Sequence, residues 1–466
     1  MPQTLPTLNP RFGIRLSGSR SEYAPGDTIA GCVFRKAHTV SPSASVDISL
    51  HGRAKSKMSV GRGDGSSRIY RGRFNLINVP DNTQTVFEGP LHIPSADEEQ
   101  IWPFSLVIPT YVDPSTLGAN YRQHSYLSIE ELDVATHDLP STFNSRQYGT
   151  RSHKEGFVEY YLQAEMRLTT QGSTDTHEAI LPVVLKTRDL NPPIVDFKLK
   201  SYRNSHSVAS HRLVPGKRNE QLSLSQKTQQ LFGSSRVPTM HFELQVNVPT
   251  VIQLENPNPL PFQVRVVPNW EKSSKILNRA PPLARVTELS MVIVARTEVK
   301  CSSGVKVLDA DTRGKLDLRL EDAIAERQDP IFVPCTPDGP PGDVGEVLNL
   351  RIGRCGRLGK PSEYDTLNPS FKTYNICHDH CLVWSMTVRM AGVDTKTRAV
   401  QPITIIAASD DGVEAQAATG LQHEETWMTP PADAQAPPSF FQVQQEDVRR
   451  RESEGGNGVQ IGASQS

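Results

Sequence analysis

The chain has 466 residues, room for two or three domains at about 150 residues each. Its 50 Lys and Arg balance 51 Asp and Glu to a formal net charge of −1, which removes whole-chain charge as a reason to expect a nucleic-acid partner. Only 36% of residues are apolar and the mean hydropathy is −0.43, so part of the chain is expected to lie outside any packed core.

The 36 prolines and 31 glycines suit short strands joined by turns better than helices, because proline lacks a backbone donor and blocks a helix interior. Near the start, Pro25-Gly26-Asp27 is turn chemistry able to seat a hairpin between Phe12–Leu16 and Thr28–Phe34. From Val46 to Val60 one parity reads Val46, Ile48, Leu50, Gly52, Ala54, Ser56, Met58, Val60, one buried face of a long strand. Trp102, Phe104, Leu106 and Ile108 mark a shorter strand, and Val158, Tyr160, Leu162, Ala164, Met166 and Leu168 another long one. Ile180 to Leu185 is a continuous apolar run, expected to be covered on both sides. These outline a first β-sandwich over residues 10–190.

Residues 191–237 read as an exposed linker: Lys198 to Arg236 holds eight Lys or Arg against the single acid Glu220, a local charge of +7. A second sandwich, 238–407, starts with the alternating residues Met240 to Val248 and Leu260 to Val266. It continues through Val286 to Val299 and Leu382 to Met390, and closes with Ile403 to Ile406. Stretches near 114–156 and 301–346 lack sustained alternation and are expected as long loops. Residues 408–466 form an expected disordered tail, with eight acids and no Lys or Arg between Ser409 and Val448. The expected class is all-β, two tandem sandwiches with long loops and a disordered C-terminal tail.

No stretch reaches the 18 apolar residues of a membrane helix, and Met1 to Pro10 lacks the pattern of a signal peptide. The expected compartment is therefore cytoplasmic, where the six cysteines stay reduced.

Tyr23-Ala24-Pro25-Gly26-Asp27-Thr28-Ile29-Ala30-Gly31, followed by Cys32-Val33 and the strand Ser45 to Gly52, resembles the N-terminal domain of the arrestin family. The similarity continues through Gly89-Pro90-Leu91-His92-Ile93-Pro94, Trp102-Pro103-Phe104 and Tyr160-Tyr161-Leu162-Gln163-Ala164. Pro369-Ser370-Phe371-Lys372-Thr373-Tyr374-Asn375-Ile376 resembles a segment of the family's C-terminal domain. The likeness is strongest to filamentous-fungal arrestin-like proteins, including arrestin-related trafficking adaptors. It implies tandem immunoglobulin-like sandwiches and a non-enzymatic adaptor working through surfaces and tail. The implied roles are endocytic trafficking, ubiquitination and signalling, peripheral to the plasma membrane or endosomes. A structural scaffold of the same fold, without cargo or ligase, is the alternative.

On the other parity of the long strand, His51, Arg53, Lys55 and Lys57 share one face. With Arg62, Arg68, Arg71 and Arg73 against Asp64 they give residues 53–73 a local charge of +6, histidine counted neutral. Such a field attracts phosphate or an acidic segment; equally, it can be a solvated face that deters edge pairing. The resemblance favours anion binding, with cytoplasmic segments of membrane proteins or anionic phospholipid as partners. The acidic tail is a candidate mask for this surface.

Pro437-Pro438-Ser439-Phe440 is a degenerate form of the Pro-Pro-x-Tyr that trafficking adaptors use to recruit WW-domain ubiquitin ligases. Phe440 lacks the hydroxyl of the tyrosine. Cys377-His378-Asp379-His380-Cys381 has zinc-type residues, but on a strand the histidines take one face and the cysteines the other. Asp309 to Gly314 mimics the start of a calcium loop but has Arg at its fifth position and Leu320 at its twelfth. Arg62-Gly63-Asp64 reads as a turn. No P-loop or nucleophile elbow is present, so no catalytic residue, metal or cofactor is expected, and no nucleic-acid partner.

Overall fold

The computed structural model describes residues 4–18, 20–61, 67–116, 125–127, 138–148, 152–170, 173–218, 220–302, 307–358 and 366–409. The first sandwich is built from β1 (Phe12–Leu16), β2 (Glu22–Tyr23), β3 (Thr28–Arg35), β4 (Thr39–Gly61) and β5 (Ser67–Asn75). It is completed by β6 (Thr83–Ile93), β7 (Gln100–Val107), β8 (Phe143–Tyr148), β9 (Ser152–Thr170) and β10 (Ser173–Leu185). A three-stranded layer of order β1-β3-β7 lies against a layer centred on β4, which pairs with β5, β6 and β9. The expected alternation is what fills the gap: Val46, Ile48, Leu50 and Ala54 of β4 are fully buried with Leu162, Ala164 and Met166 of β9. Ile29, Val33, Trp102 and Phe104 belong to the same core.

The second sandwich begins with β11 (Leu199–Ala209), α1 (Leu224–Leu231), β12 (Thr239–Pro249), β13 (Val251–Gln253), β14 (Gln263–Asn269) and β15 (Ala284–Ser302). Next come β16 (Val307–Asp317), α2 (Leu320–Ala325), β17 (Ile331–Val333), β18 (Gly342–Asp343) and α3 (Val344–Val347). The last are β19 (Ile352–Gly353), β20 (Gly356–Arg357), β21 (Phe371–Lys372), β22 (Ile376–Met390) and β23 (Val393–Ile406). One layer runs β11-β12-β14-β18, and β13, β23, β22 and β15 form the other. Trp384 fills the space between them, edge-on to Tyr202 and Phe262 at 5.7 and 5.5 Å. The fold is thus all-β, two sandwiches in tandem, as the alternation implied. No helix among the described residues is long and apolar enough to cross a membrane.

Backbone pairing joins the sandwiches. Ser302 of β15 pairs with Arg71 of β5, so one sheet runs through both. Beside that point Ser56 Oγ donates to the Lys300 carbonyl at 2.5 Å and accepts from Asn375 Nδ2 at 2.9 Å. A Cβ on Gly72 would lie 2.5 Å from Ser56 Oγ and 2.9 Å from the Lys300 carbonyl oxygen, so only glycine fits this crossing. Val299, Tyr374 and Ile376 reach into the core of the first sandwich.

Several expectations need correction. Within the span read as a linker, β11 pairs with β12 over its whole length and is the edge strand of the second sandwich. Within 301–346, β16 pairs with β15 from Val307 to Asp317, and α2, β17, β18 and α3 follow, so this is not one long loop. The stretch 114–156 likewise contains β8 and the start of β9. In β10, Pro182 and Val184 are exposed while Val183 and Leu185 are buried, so the apolar run is covered on one side only. The Pro25-Gly26-Asp27 turn, with Gly26 at φ +89°, joins β2 to β3, although β1 and β3 do pair. The expected tail beyond residue 409 lies outside the described residues.

Candidate functional site

Strand register decides what the basic residues of β4 face. Arg53 stands between Asn75 of β5 and Glu159 of β9, Lys55 between Arg73 and Phe157, and Lys57 between Arg71 and Glu155. Paired residues share a sheet face, and since Ala54, Ser56 and Met58 point into the core, these rows lie on the outside.

At one end of the rows the charges are already spent on each other. Arg53 Nε and Lys55 Nζ each lie 2.5 Å from Glu159 Oε1, with the three side chains 12%, 8% and 8% exposed. The N-terminal segment closes over them: the Thr4 amide donates to Glu159 Oε2 at 2.8 Å, its hydroxyl to Oε1 at 2.9 Å, and Arg53 Nη2 donates to that hydroxyl at 2.5 Å. Burial alone would raise the Glu159 carboxyl, but the hydrogen bonds from Lys55, Thr4 and Arg53 outweigh it and hold the group below the usual carboxylate range. Burial, only partly offset by Glu159, pulls the Lys55 ammonium below its ordinary value. Lys55 Nζ also lies 5.2 Å from the Phe157 ring centroid, and the Arg53 guanidinium 4.7 Å from that of Tyr161. His51 stacks on Tyr161 with centroids 4.7 Å apart. Burial, then the positive charges of Arg53 and Arg73, push it down to about 4, so it is neutral at physiological pH and adds no charge to the face.

At the other end the charges are open. Lys57 is half-buried, Arg71 and Arg73 are exposed, and none of the three forms an ion pair with any described residue. The nearest acid by register, Glu155, is engaged by Arg146 at 2.8 Å and by His153 at 3.4 Å. This leaves three cations on two adjacent rows, able to take a phosphate or clustered carboxylates from solvent. Arg68 does not join them: it pairs with Val60 on the opposite face, its guanidinium 5.4 Å from the Tyr70 ring centroid. Arg62, the Arg62-Gly63-Asp64 turn, and Pro437, Pro438 and Phe440 lie outside the described residues. The eight candidates therefore divide into the ion-paired Arg53 and Lys55 with the neutral His51 beside them, the open Lys57, Arg71 and Arg73, Arg68 on the far face, and Arg62 outside the described residues.

Glu159 is the functional neighbour that sequence reading missed. Its signal was present, an acid on the outer parity of the strand Val158 to Leu168, but alternation does not say which strand lies beside it.

Elsewhere, His378 and His380 occupy the inner face of β22 and Asp379 the outer. His378 Nδ1 bonds Thr297 Oγ1 and His380 Nδ1 bonds Ser370 Oγ, both at 2.9 Å. Burial pushes His378 down to about 3 and His380 to about 4, so both rings stay neutral. Cys377 Sγ instead donates to Asp379 Oδ2 at 3.1 Å, and burial and that carboxylate push the thiol up to about 12. The two histidine rings thus sit together, centroids 4.6 Å apart, while the Cys377 thiol turns away from them to Asp379. Asp309 to Gly314 lies in β16, as a strand rather than a calcium loop. A cleft of about 720 Å³ opens beside this region, lined in part by Ser141, Phe143, Asp189, Ser370, Lys372 and Asp379. The Ser370 hydroxyl at its wall also accepts the Ile405 amide at 3.0 Å, which ties the segment to β23.

Compared with known proteins, the chain matches no protein-family model and no curated protein sequence.

Proposed function

We propose that this chain is a non-enzymatic adaptor of arrestin type, and that its first sandwich holds phosphorylated or acidic cytoplasmic segments of membrane proteins on Lys57, Arg71 and Arg73. The observation that carries the reading is the division of the basic face. Glu159 saturates Arg53 and Lys55, whereas the outer three cations keep their charge for a ligand. Cations open to solvent beside a buried ion-paired base suit reversible capture of an anionic segment, with salt-dependent affinity. On this reading the protein serves endocytic trafficking or signalling, and any recruitment of a WW-domain ubiquitin ligase falls to Pro437, Pro438 and Phe440.

The test is fluorescence anisotropy with acidic peptides in phosphoserine and unmodified forms, using the full chain and a Lys57→Glu/Arg71→Glu/Arg73→Glu variant. The expected result is preference for the phosphopeptide, weakening with added salt and falling about tenfold or more in the variant. Equal affinity of the two proteins for the phosphopeptide would overturn the reading.

A further inference from the structure

The connection between β11 and β12 holds α1, and this helix is turned the opposite way from an ordinary surface helix. A capping box starts it: Ser223 Oγ accepts the Gln226 amide at 3.2 Å, and Gln226 Oε1 accepts the Ser223 amide at 2.9 Å. At about 100° per residue, Leu224, Thr228 and Leu231 fall on one side, with Phe232 next to them, and Gln226, Gln229 and Gln230 on the other. In water the leucine side should face the protein. Instead Leu224, Leu231 and Phe232 are 82%, 83% and 83% exposed, while the three glutamines are half-buried. No residue of the helix is buried.

The surroundings are cationic. Lys217, Arg218, Lys227 and Arg236 in the same connection are exposed, with Glu220 the one acid among its described residues. The loop 270–283 is tied to the same end of the sandwich: the Ser274 amide donates to the Thr239 carbonyl at 2.9 Å, and Arg218 Nη2 to the Pro281 carbonyl at 2.8 Å. That loop adds exposed Lys272, Lys275 and Arg279 against Glu271, and Ile276 and Leu283 at 55% and 56% exposure.

We infer that this end of the second sandwich is a docking surface for an anionic lipid bilayer, with Leu224, Leu231 and Phe232 entering the interface and the surrounding lysines and arginines meeting lipid phosphates. An outward apolar stripe requires an apolar phase, and a ring of basic residues selects one with a negative surface. A second copy of this chain would instead bring like charges together. The helix has eight residues, so it lies in the interface and cannot span, and the contact is reversible. The inference uses none of the residues proposed above for phosphopeptide capture, so either can fail without the other.

The experiment is flotation of the full chain with phosphatidylcholine vesicles, with and without phosphatidylserine. The wild-type protein should float with the phosphatidylserine vesicles and stay behind with the neutral ones. A Leu231→Glu/Phe232→Glu variant, whose changed side chains touch no core, should lose about tenfold or more in partitioning while keeping its phosphopeptide affinity. Phe232→Trp should show a blue-shifted emission component with anionic vesicles that brominated lipid quenches. Equal flotation of wild type and the double variant would overturn the proposal. So would a concentration-dependent dimer that the same substitutions abolish, which would assign the stripe to self-association.

Discussion

Lys55 and Lys57 are two residues apart on one strand and point to the same side, yet they live in different chemistry. Lys55 is 8% exposed and shares a carboxylate with Arg53 under the cover of Thr4; Lys57 looks onto Arg71 and has no ionic partner among the described residues. The difference lies in β9, which offers Glu159 to one row and an already engaged Glu155 to the other. A run of basic residues is therefore not one surface: the neighbouring strand decides which members are structural and which remain free to bind.

The comparison breaks most readily at its buried end. Glu159→Gln leaves Lys55 and Arg53 facing each other without a counter-charge, and removing one member of a buried ion cluster costs about 3 to 5 kcal/mol. Urea denaturation should show a lowered midpoint with an unchanged slope; a midpoint like that of wild type would mean that the carboxylate is not what holds the row together. Next in size is Gly72→Ala, whose new Cβ presses on Ser56 Oγ and the Lys300 carbonyl. It should cost about 2 kcal/mol by overpacking, read in the same titration.

Acid supplies a third test. Folding holds His51 and His380 at about 4 and His378 at about 3, all below the ordinary 6.5. Between those values and 6.5 the unfolded chain binds protons that the folded chain refuses, so stability falls as pH drops through that window. Each histidine contributes a slope of about 1.4 kcal/mol per pH unit. The Glu159 contribution stays in place above the unfolded carboxylate range and is lost at still lower pH, as the folded carboxyl takes up its proton. Urea midpoints between pH 7 and 5 should decline in wild type and less steeply in His378→Gln; parallel declines would remove His378 from the account. Smallest of all, Lys57→Ala, Arg71→Ala and Arg73→Ala should each change stability by less than about 0.5 kcal/mol, since they hold nothing in place. A larger loss by thermal or urea melting would erase the distinction between the two ends.

Alternation made β4, β7, β9, β12 and β22 legible, because each sets apolar residues at every second position against a core. It missed β11, whose inward positions include Tyr202, Asn204 and His206. There Asn204 Nδ2 bonds Thr397 Oγ1 across the layers at 2.7 Å, a polar contact that hides the period. It missed β16 because that strand is rich in charge and draws its order from pairing with β15. For the site, parity gave a common face for His51, Arg53, Lys55 and Lys57; Arg71 and Arg73 were joined to them by local charge alone, and it is the register of β5 on β4 that sets them beside Lys57 and Lys55. What parity could not give was contact at a separation of 106 residues, the distance along the chain from Arg53 to Glu159. For the same reason the inverted helix was not foreseen: Leu224, Leu231 and Phe232 read in sequence as part of a polar linker.

Arg71 serves two masters: its side chain is one of the open cations, and its backbone is the rung that meets Ser302. A ligand held by that guanidinium would therefore rest on a strand whose own backbone pairs with the neighbouring sandwich, with no loop between the open face and the seam.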